Sequence, residues 1–166
     1  MIPLLLHYLR QHYMAVLLCS AMLCLALTGC DSPGPDKEFI SYRKVDDNTW
    51  SPDMPVTFDL FFPKIGDTYS LQLLLRHNND YPSGRVSIRV EFMRDYQYRR
   101  VDTLHLNLAS APGKWLGHGV VLKEISCPVY YSISPPIAGI YKLNVSPLDV
   151  SGANGIENVG VRLLKK

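Results

Sequence analysis

Several segments of the chain alternate apolar and polar side chains with a period of two, which is the spacing of a strand with one buried face. In residues 85–93 the apolar positions are Val86, Ile88, Val90 and Phe92. The same pattern, with small interruptions, recurs in residues 69–76, 103–108, 140–146 and 156–164, and residues 56–62 are rich in β-forming types. Each of these segments is predicted to be a strand.

The segments between these strands contain Pro, Gly, Asn and Asp, and no window of twelve or more residues after residue 30 has a convincing helical period. A sheet with one apolar face must cover that face with another layer. The pattern therefore predicts an all-β fold, an antiparallel β-sandwich of about seven or eight strands, with the jelly roll as one candidate topology.

Three local features of this sandwich follow from the pattern. Residues 69–76 and 85–93 flank a polar turn at residues 78–84 and are predicted to form an antiparallel pair. Residues 109–114 are predicted to be a loop. The alternation slips midway through residues 120–131, which predicts a longer, bulged strand.

The N-terminal segment has a different pattern. A basic region containing Arg10 precedes an apolar run from about Met14 to Leu27, and small residues then lead to Cys30. This order is typical of a secretory signal peptide. The run is shorter than the roughly 20 residues that a membrane-spanning helix needs, although a retained N-terminal membrane anchor is the alternative.

The residues Thr28, Gly29 and Cys30 resemble the lipobox of bacterial lipoproteins, in which the Cys is lipidated and the chain is cut before it. More than one acyl chain gives stable anchoring. The predicted organisation is a cleaved signal peptide at residues 1–29, a lipidated Cys and flexible tether at 30–37, and one β-sandwich domain at 38–166. The anchor attaches the protein to a membrane of the cell envelope. The outer membrane is favoured, although Asp31 is also compatible with the inner membrane.

Composition narrows the possible partners and the redox chemistry. The 17 basic and 15 acidic side chains give a net charge of +2 without a basic stripe, so no nucleic-acid binding is expected. Cys19 and Cys24 leave with the signal peptide and Cys30 carries lipid, so an intramolecular disulfide is excluded. The remaining Cys127 is predicted to be a small buried residue rather than a reactive thiol.

The motifs of known catalytic and metal sites are missing from the sequence. His77, His105 and His118 have no zinc-like spacing, and neither a phosphate-binding loop nor a nucleophile elbow occurs. Residues 77–80 could offer oxygens to a cation, but Asn and Asp are also expected at a turn. His118 lies between glycines that indicate a tight backbone path. The sequence therefore predicts a protein that is not an enzyme and uses no cofactor or metal.

Aromatic residues in loops are the better candidates for binding. Trp50, Tyr81 and Trp115 each lie among Pro and Gly at a strand edge or in a loop. Exposed rings at such positions could stack on a glycan or anchor a protein partner. The alternative is that the two Trp side chains cap the ends of the sandwich core.

Several blocks of the chain resemble the gliding-motility lipoprotein H family (GldH) of the Bacteroidetes. The most specific blocks are Arg76-His77-Asn78-Asn79-Asp80-Tyr81-Pro82 and Gly113-Lys114-Trp115-Leu116-Gly117, followed by Gly139-Ile140-Tyr141 and Gly155-Ile156-Glu157-Asn158-Val159-Gly160-Val161-Arg162. The resemblance runs in the same order from about Trp50 to Leu163 and includes the lipobox. One departure is Pro147-Leu148-Asp149, where the family often has a Met-Arg pair.

The resemblance implies a non-enzymatic envelope lipoprotein that serves surface gliding and is linked to the machinery of type IX secretion. No catalytic residue comes with it. Two hypotheses follow. In the first, the sandwich is an interaction or scaffold protein that docks onto other envelope or motility proteins through a loop face including Tyr81 and Trp115. In the second, it is a surface module that binds glycans.

Overall fold

The computed structural model describes residues 10, 13–14, 37–45, 49–149 and 153–166. The chain divides into two compact units, Met1–Gly34 and Pro35–Lys166. In the first unit, Arg10, Tyr13 and Met14 are described and are helical. The predicted cleavage site, Cys30 and the tether up to residue 36 lie outside the described residues. Within the described part, no helix is both long and apolar enough to span a membrane.

The second unit is built from antiparallel strands. Its described residues form β1 (Glu38–Lys44), β2 (Thr49–Trp50), β3 (Val56–Phe62), β4 (Tyr69–His77), β5 (Arg85–Arg94), β6 (Tyr98–Asn107), β7 (Ala109–Ala111), β8 (Lys114–Trp115), β9 (Lys123–Ile133), β10 (Gly139–Pro147), β11 (Ala153–Asn154) and β12 (Ile156–Lys165). Their burial alternates most cleanly in β3, β5 and β10. The sequence predicts the second and third of these from a period of two and the first from its β-forming residue types. The predicted strands are therefore present.

Eight long strands form two four-stranded sheets, ordered β1-β12-β4-β9 and β3-β10-β5-β6. The first long strand pairs with the last, the second with the second-last, and so on inward to the β5–β6 pair. This nested pairing is that of an eight-stranded hairpin rolled into two layers, which is a jelly roll. The prediction of an antiparallel β-sandwich is confirmed, and the jelly roll is its topology.

The predicted pairing of residues 69–76 with 85–93 is wrong. The first segment, β4, pairs with β12 and β9, whereas the second, β5, pairs with β10 and β6 in the other sheet. Alternation identifies the buried face of a strand but not its partner. The loop at residues 78–84 is longer than most hairpin loops, and it crosses from one sheet to the other.

The strand pairing tests two further predictions. Residues 109–114 do not form a plain loop, because β7 and β8 pair around a turn in which Gly113 has φ 72°. The predicted bulge in the segment 120–131 is confirmed by register shifts opposite β4. The strand begins at Lys123, since Val120 and Val121 lie in the preceding loop.

The inner faces of the sheets meet in an apolar core with an aromatic cluster near one end. Phe92 and Tyr141 are stacked, with ring centroids 4.9 Å apart and an interplanar angle of 12°. Phe62 packs edge-on against Tyr141 at 5.4 Å and against Tyr69 at 4.9 Å. Because these rings come from strands of both sheets, the cluster joins the two layers.

A polar bridge closes one open side of the sandwich, where β9 and β6 are the edge strands. The Tyr130 hydroxyl donates to Asp102 Oδ2 at 2.6 Å. Arg100 pairs with the same carboxylate at 2.8 Å and lies 4.2 Å from the centre of the Tyr130 ring. Burial, followed by the hydrogen bond to Asp102, raises the pKa of Tyr130 above its usual value. The hydroxyl therefore remains a neutral donor.

A second network of side-chain contacts crosses the outer face of the β1-β12-β4-β9 sheet. The ring of Tyr42 on β1 lies over Gly160 of β12, and its hydroxyl donates to Glu124 Oε2 of β9 at 3.1 Å. Arg76 of β4 pairs with Glu124 at 2.6 Å and lies 4.0 Å from the centre of the Tyr42 ring. Only a residue without a side chain at 160 leaves room for this ring. The glycine thus allows contacts that span the whole sheet.

We predict that Gly160→Ala destabilises the domain by about 1–3 kcal/mol, the usual cost of overpacking. A β-carbon at this position would lie 2.5 Å from Tyr42 Cδ1 and 3.1 Å from the Ser41 carbonyl oxygen. Urea unfolding measures the effect. Gly84→Ala is the matched control, because its β-carbon would lie 3.5 Å from Ala109 Cβ, an ordinary contact. Equal unfolding midpoints for the two variants would contradict this account of Gly160.

We predict that Tyr130→Phe lowers the free energy of unfolding by about 1 kcal/mol at pH 8, the usual net value of a lost hydrogen bond. Tyr131→Phe, whose side chain is 77% exposed on the same strand, should have little effect.

The same pair of variants tests the pKa of Tyr130. This pKa is higher in the folded protein than the unfolded value of 10.0, so the contribution of Tyr130 is complete below that pH and is lost as the pH rises above it. The stability of the parent protein should therefore fall more steeply above that pH than the stability of Tyr130→Phe. Parallel pH profiles would argue against the raised pKa.

Candidate functional site

A groove lies at the end of the sandwich where β4 ends and β5 begins, which we call the groove end. It has a volume of about 620 Å³. It runs between the loop at residues 78–84, which we call the crossing loop, and the β7–β8 ribbon. Its lining consists mainly of small, apolar or uncharged polar residues: Asn79, Tyr81, Pro82, Ser83, Gly84, Arg85, Ala109, Ser110, Ala111, Pro112, Gly113 and Trp115. Such a surface suits a partner that is itself largely uncharged.

The crossing loop on one wall is held by local hydrogen bonds. The Asn78 backbone N–H donates to the Gly155 carbonyl at 2.9 Å. The Asn78 side-chain oxygen accepts from the Asp80 backbone N–H at 3.0 Å, which is an Asx turn. The turn interpretation of residues 77–80 is therefore confirmed. Among the described residues, no group of three or more His, Cys, Asp or Glu is placed to hold a metal ion.

Tyr81 lies beneath this loop with only 8% of its surface exposed. Its hydroxyl donates to the Arg85 carbonyl at 3.4 Å. Burial, with a smaller contribution from the charge of Asp149, raises the pKa of Tyr81 to about 12. Gly155, at φ 94°, passes so close that a β-carbon there would lie 3.1 Å from the Tyr81 backbone. The tyrosine thus supports the loop from below.

A buried histidine underlies Trp115. His77 is fully buried, and its Nδ1 lies 2.8 Å from the Asn78 carbonyl oxygen. Because a carbonyl only accepts, Nδ1 carries the proton. Its ring centroid lies 4.6 Å from that of Trp115 and 6.1 Å from that of Tyr81. Nε2 has no hydrogen-bond partner within the described part of the chain. The contact holds the partly buried indole against the domain.

The three aromatic residues predicted as exposed candidates differ in their surroundings. Trp50 is 1% exposed and Tyr81 is 8% exposed, so neither presents a free ring face. Trp50 lies on β2, which pairs with β11, and its ring belongs to the core. Burial of a large aromatic ring removes much apolar surface from water, which favours placing the Trp50 ring in the core. Trp115 alone of the three is partly exposed.

The structure brings two of these rings together and separates the third. Tyr81 and Trp115 line the same groove. Trp50 lines a different cavity of about 250 Å³, together with Val45, Met54 and Pro55. A single binding platform made from all three rings is therefore incompatible with the fold. Whether any of them binds a ligand stays a prediction.

An exposed apolar loop next to Trp115 was not predicted as part of a site. Leu116 is 47% exposed, Val120 is 88% exposed and Val121 is 77% exposed. The alternation of residues 120–131 predicts both valines to lie in a strand, and this prediction is wrong. The signal against a strand was Gly119, which has φ 129° and where any β-carbon would collide with the Leu122 carbonyl.

The same loop shows why His118 is flanked by glycines. His118 and Glu124 exchange backbone hydrogen bonds of 2.9 and 2.8 Å across the base of the loop. A β-carbon at Gly117 would lie 2.9 Å from the Glu124 carbonyl oxygen. The tight backbone path predicted around His118 is therefore confirmed. Its purpose is to return the chain sharply into β9 while the two valines project outward.

Cys127 lies on β9 and is partly buried against the core. Burial raises the pKa of its thiol, and Sγ lies 3.6 Å from the Pro128 carbonyl oxygen. A raised pKa reduces the fraction of thiolate, which is the reactive form. This agrees with a structural role.

Two solved structures show a weak similarity to this chain. The dimeric latent PorU structure from Porphyromonas gingivalis has a TM-score of 0.34 at 8% identity, covering 78% of this chain and 13% of that one. The arabinose-bound MgGH51 α-L-arabinofuranosidase has a TM-score of 0.38 at 11% identity, covering 77% and 22%. The chain spans only a small part of either structure, and similarity at this level supports no functional conclusion.

Sequence comparison is more informative. The model of the GldH lipoprotein family matches residues 37–163. The chain is also 31% identical over 162 residues to the gliding motility lipoprotein GldH of Flavobacterium johnsoniae, an alignment that covers 91% of this chain and 95% of that protein. The resemblance stated from the Arg76–Pro82 and Gly113–Gly117 blocks is thereby confirmed. The chain belongs to the GldH lipoprotein family.

Proposed function

We propose that this protein is a non-enzymatic, lipid-anchored component of the cell envelope that docks onto another motility or envelope protein through its groove end. Family membership and the printed name of the Flavobacterium johnsoniae relative support a role in gliding motility. The docking role is supported by the surface of the groove end.

The observation that carries the proposal is the presence of three exposed apolar side chains in the loop that follows Trp115, a residue of the groove lining. These side chains are Leu116, Val120 and Val121. Contiguous exposed apolar surface marks interaction sites on soluble domains. An aromatic ring next to aliphatic side chains is also the usual composition of an interface core. A protein partner with an apolar ridge would fill the groove and cover the loop.

The walls of the groove are organised before any partner binds. The Gly84 carbonyl accepts from the backbone N–H groups of Leu108 at 2.7 Å and Ala109 at 3.1 Å. The Leu116 backbone N–H donates to the Leu108 carbonyl at 2.8 Å. These bonds tie the crossing loop, the end of β6 and the β7–β8 ribbon together. A preformed surface loses less conformational entropy on binding.

A glycan-binding function is less well supported by this geometry. Stacking on a sugar requires an accessible ring face. Trp50 and Tyr81 are buried, which leaves Trp115 as the partly exposed ring among the three candidates. Exposed valines beside it offer no hydrogen bonds to hydroxyl groups. Protein docking therefore accounts for more of the surface.

Anchoring through Cys30 is the other half of the proposal. The apolar run before Cys30 and the Leu27-Thr28-Gly29-Cys30 sequence support lipidation at this residue. The family description as a lipoprotein supports the same modification. We place the anchor in the cell envelope, with the outer membrane favoured. A lipid anchor confines partner search to the membrane surface.

We predict that Val120→Glu with Val121→Glu lowers crosslinking to the partner at least about tenfold, because buried carboxylates would remain unpaired in the interface. Photo-crosslinking from position 116 in cells, followed by mass spectrometry, measures it. Trp115→Ala should act in the same direction. Both valines are exposed in the free protein, so the domain should still fold.

Tyr131→Glu is the matched control, since its side chain is 77% exposed on β9, outside the groove lining. It should leave crosslinking unchanged. Equal crosslinking by the parent and the double valine variant would refute docking at this surface. Binding of purified protein to a glycan array that is lost in Trp115→Ala would instead favour the glycan hypothesis.

We predict that Cys30→Ser releases the protein from the membrane fraction and abolishes its envelope role, although the sandwich still folds. The physical reason is that lipid chains supply the stable anchoring that a soluble domain lacks. Fractionation with mass spectrometry of the mature N-terminus measures both effects. A Cys30→Ser protein that remains membrane-bound and active would contradict the proposed anchor.

A further inference from the structure

We propose that the end of the sandwich opposite the groove rests directly on an anionic lipid bilayer. This membrane face consists of exposed apolar and basic side chains: Lys37, Phe39, Phe61, Lys64, Ile65 and Ile140. The inference rests on the proposed lipid anchor at Cys30. It goes beyond that anchor because it assigns an orientation and a lipid contact to the folded domain itself.

The strand register brings these residues to one end. Glu38 at the start of β1 lies opposite Leu164 near the end of β12. Phe61 near the end of β3 lies opposite Ile140 near the start of β10. A cavity of about 140 Å³ joins the two edge strands there and is lined by Lys37, Glu38, Phe39, Asp59, Phe61, Pro63, Tyr69, Leu163 and Lys165. The membrane face is therefore one continuous region rather than scattered side chains.

The apolar side chains of the membrane face are large and exposed to solvent. Phe61 is 63% exposed and the paired Ile140 is 59% exposed, while Ile65 in the following loop is 68% exposed. Phe39 on the neighbouring edge strand is 39% exposed. An amphipathic helix at a membrane surface buries its apolar face about 5–10 Å into the boundary between headgroups and acyl chains, and that region would accept these side chains as well. A bilayer would cover these four residues together.

The charge at this end is complementary to anionic headgroups. Lys37, Lys64 and Lys166 are exposed and form no salt bridge with any described residue, although Lys64 lies close enough to Asp67 to interact with its charge. Nearby carboxylates are engaged, since Asp67 pairs with Lys165 and Glu38 pairs with Arg162, both at 2.6 Å. Asp59 is the exception, because it lines the cavity without such a pair. Basic residues close to a membrane surface are attracted to anionic lipids.

The tether limits how far the Lys37 end of the domain can lie from the bilayer. Seven peptide steps separate Cys30 from Lys37, and a fully extended chain covers at most about 3.6 Å per residue, or roughly 25 Å in total. Strands of nine to eleven residues place the groove end about 30 Å further away. Lys37 therefore stays within roughly 25 Å of the bilayer, whereas the groove end can lie roughly 55 Å away. Even a weak lipid affinity is sufficient when a short tether keeps the local concentration high.

The test uses the lipidated full chain in vesicles of phosphatidylcholine and phosphatidylglycerol. A fluorophore is attached at Ile65→Cys, in a Cys127→Ala background, and its quenching by lipids with a nitroxide near the headgroup is measured. The matched control carries the fluorophore at Val121→Cys, which is similarly exposed at the groove end. We expect quenching at least about threefold stronger at position 65, because only an inserted probe reaches the headgroup boundary.

A charge variant provides a second measurement. Lys37→Glu with Lys64→Glu should lower quenching at position 65 on the anionic vesicles but not on pure phosphatidylcholine. The matched control is Lys44→Glu, at the other end of β1 and also exposed. Added salt should weaken the difference, because it screens surface charges.

The outcomes separate this inference from the anchor on which it rests. Vesicle flotation with equal, weak quenching at both positions would leave the anchor intact and overturn the membrane face. Stronger quenching at position 121 would overturn both the membrane face and the docking surface. A protein that neither carries lipid nor floats would overturn the anchor and the membrane face together.

Discussion

Burial of the two inner sheet faces against each other is the interaction on which every other feature of this domain depends. Of the six ladders that build the two sheets, only the β5–β6 ladder joins long strands that are consecutive in the chain. Local hairpin formation therefore contributes little to the topology. Phe92 and Tyr141, both from the second sheet, stack on each other and pack in the core against rings from the first sheet. The sandwich holds because apolar area is removed from water across the whole interface.

The nested pairing also explains why the two ends of the domain differ in chemistry. In a jelly roll most connections cross from one sheet to the other over an end of the sandwich. The crossing at residues 78–84 buries Tyr81 and needs Gly155 beneath it, so this end is shaped by close packing. The crossing at residues 63–68 carries Lys64 and Ile65 outward instead. One end thus becomes a formed groove and the other a basic, apolar surface.

The period of two was sufficient to predict most of the long strands and their buried faces, but it did not predict β1, whose burial does not alternate. In β5 the apolar positions Val86, Ile88, Val90 and Phe92 are all buried. Partner choice was not predictable, because the alternation in β4 is compatible with any strand that presents a matching face. The exposure of the loop aromatics depends on contacts with residues that are distant in sequence, such as the contact between His77 and Trp115. The positions of individual glycines were more informative than their number, because Gly119 and Gly155 mark points where the backbone has a positive φ.

The candidate site was therefore only partly accessible from sequence. Trp115 and Tyr81 could be selected as loop aromatics, but Val120 and Val121 could not be recognised as exposed without the turn that Gly117 and Gly119 create. The Arg76–Pro82 and Gly113–Gly117 blocks are distant in sequence, yet their side chains meet at the groove. The ring contact between His77 and Trp115 means that each block supports the other.

Orientation connects the two surfaces that we propose. A domain on a flexible tether samples many orientations, and a partner in the envelope can engage the groove end only in some of them. Contact of Phe61 and Ile65 with lipid would remove most of those orientations before docking. The entropy lost in ordering the domain would then be offset by lipid contacts rather than by the interface. A modest protein interface around Trp115 would suffice for stable assembly, and losing the membrane face would weaken docking without changing a single contact in the groove.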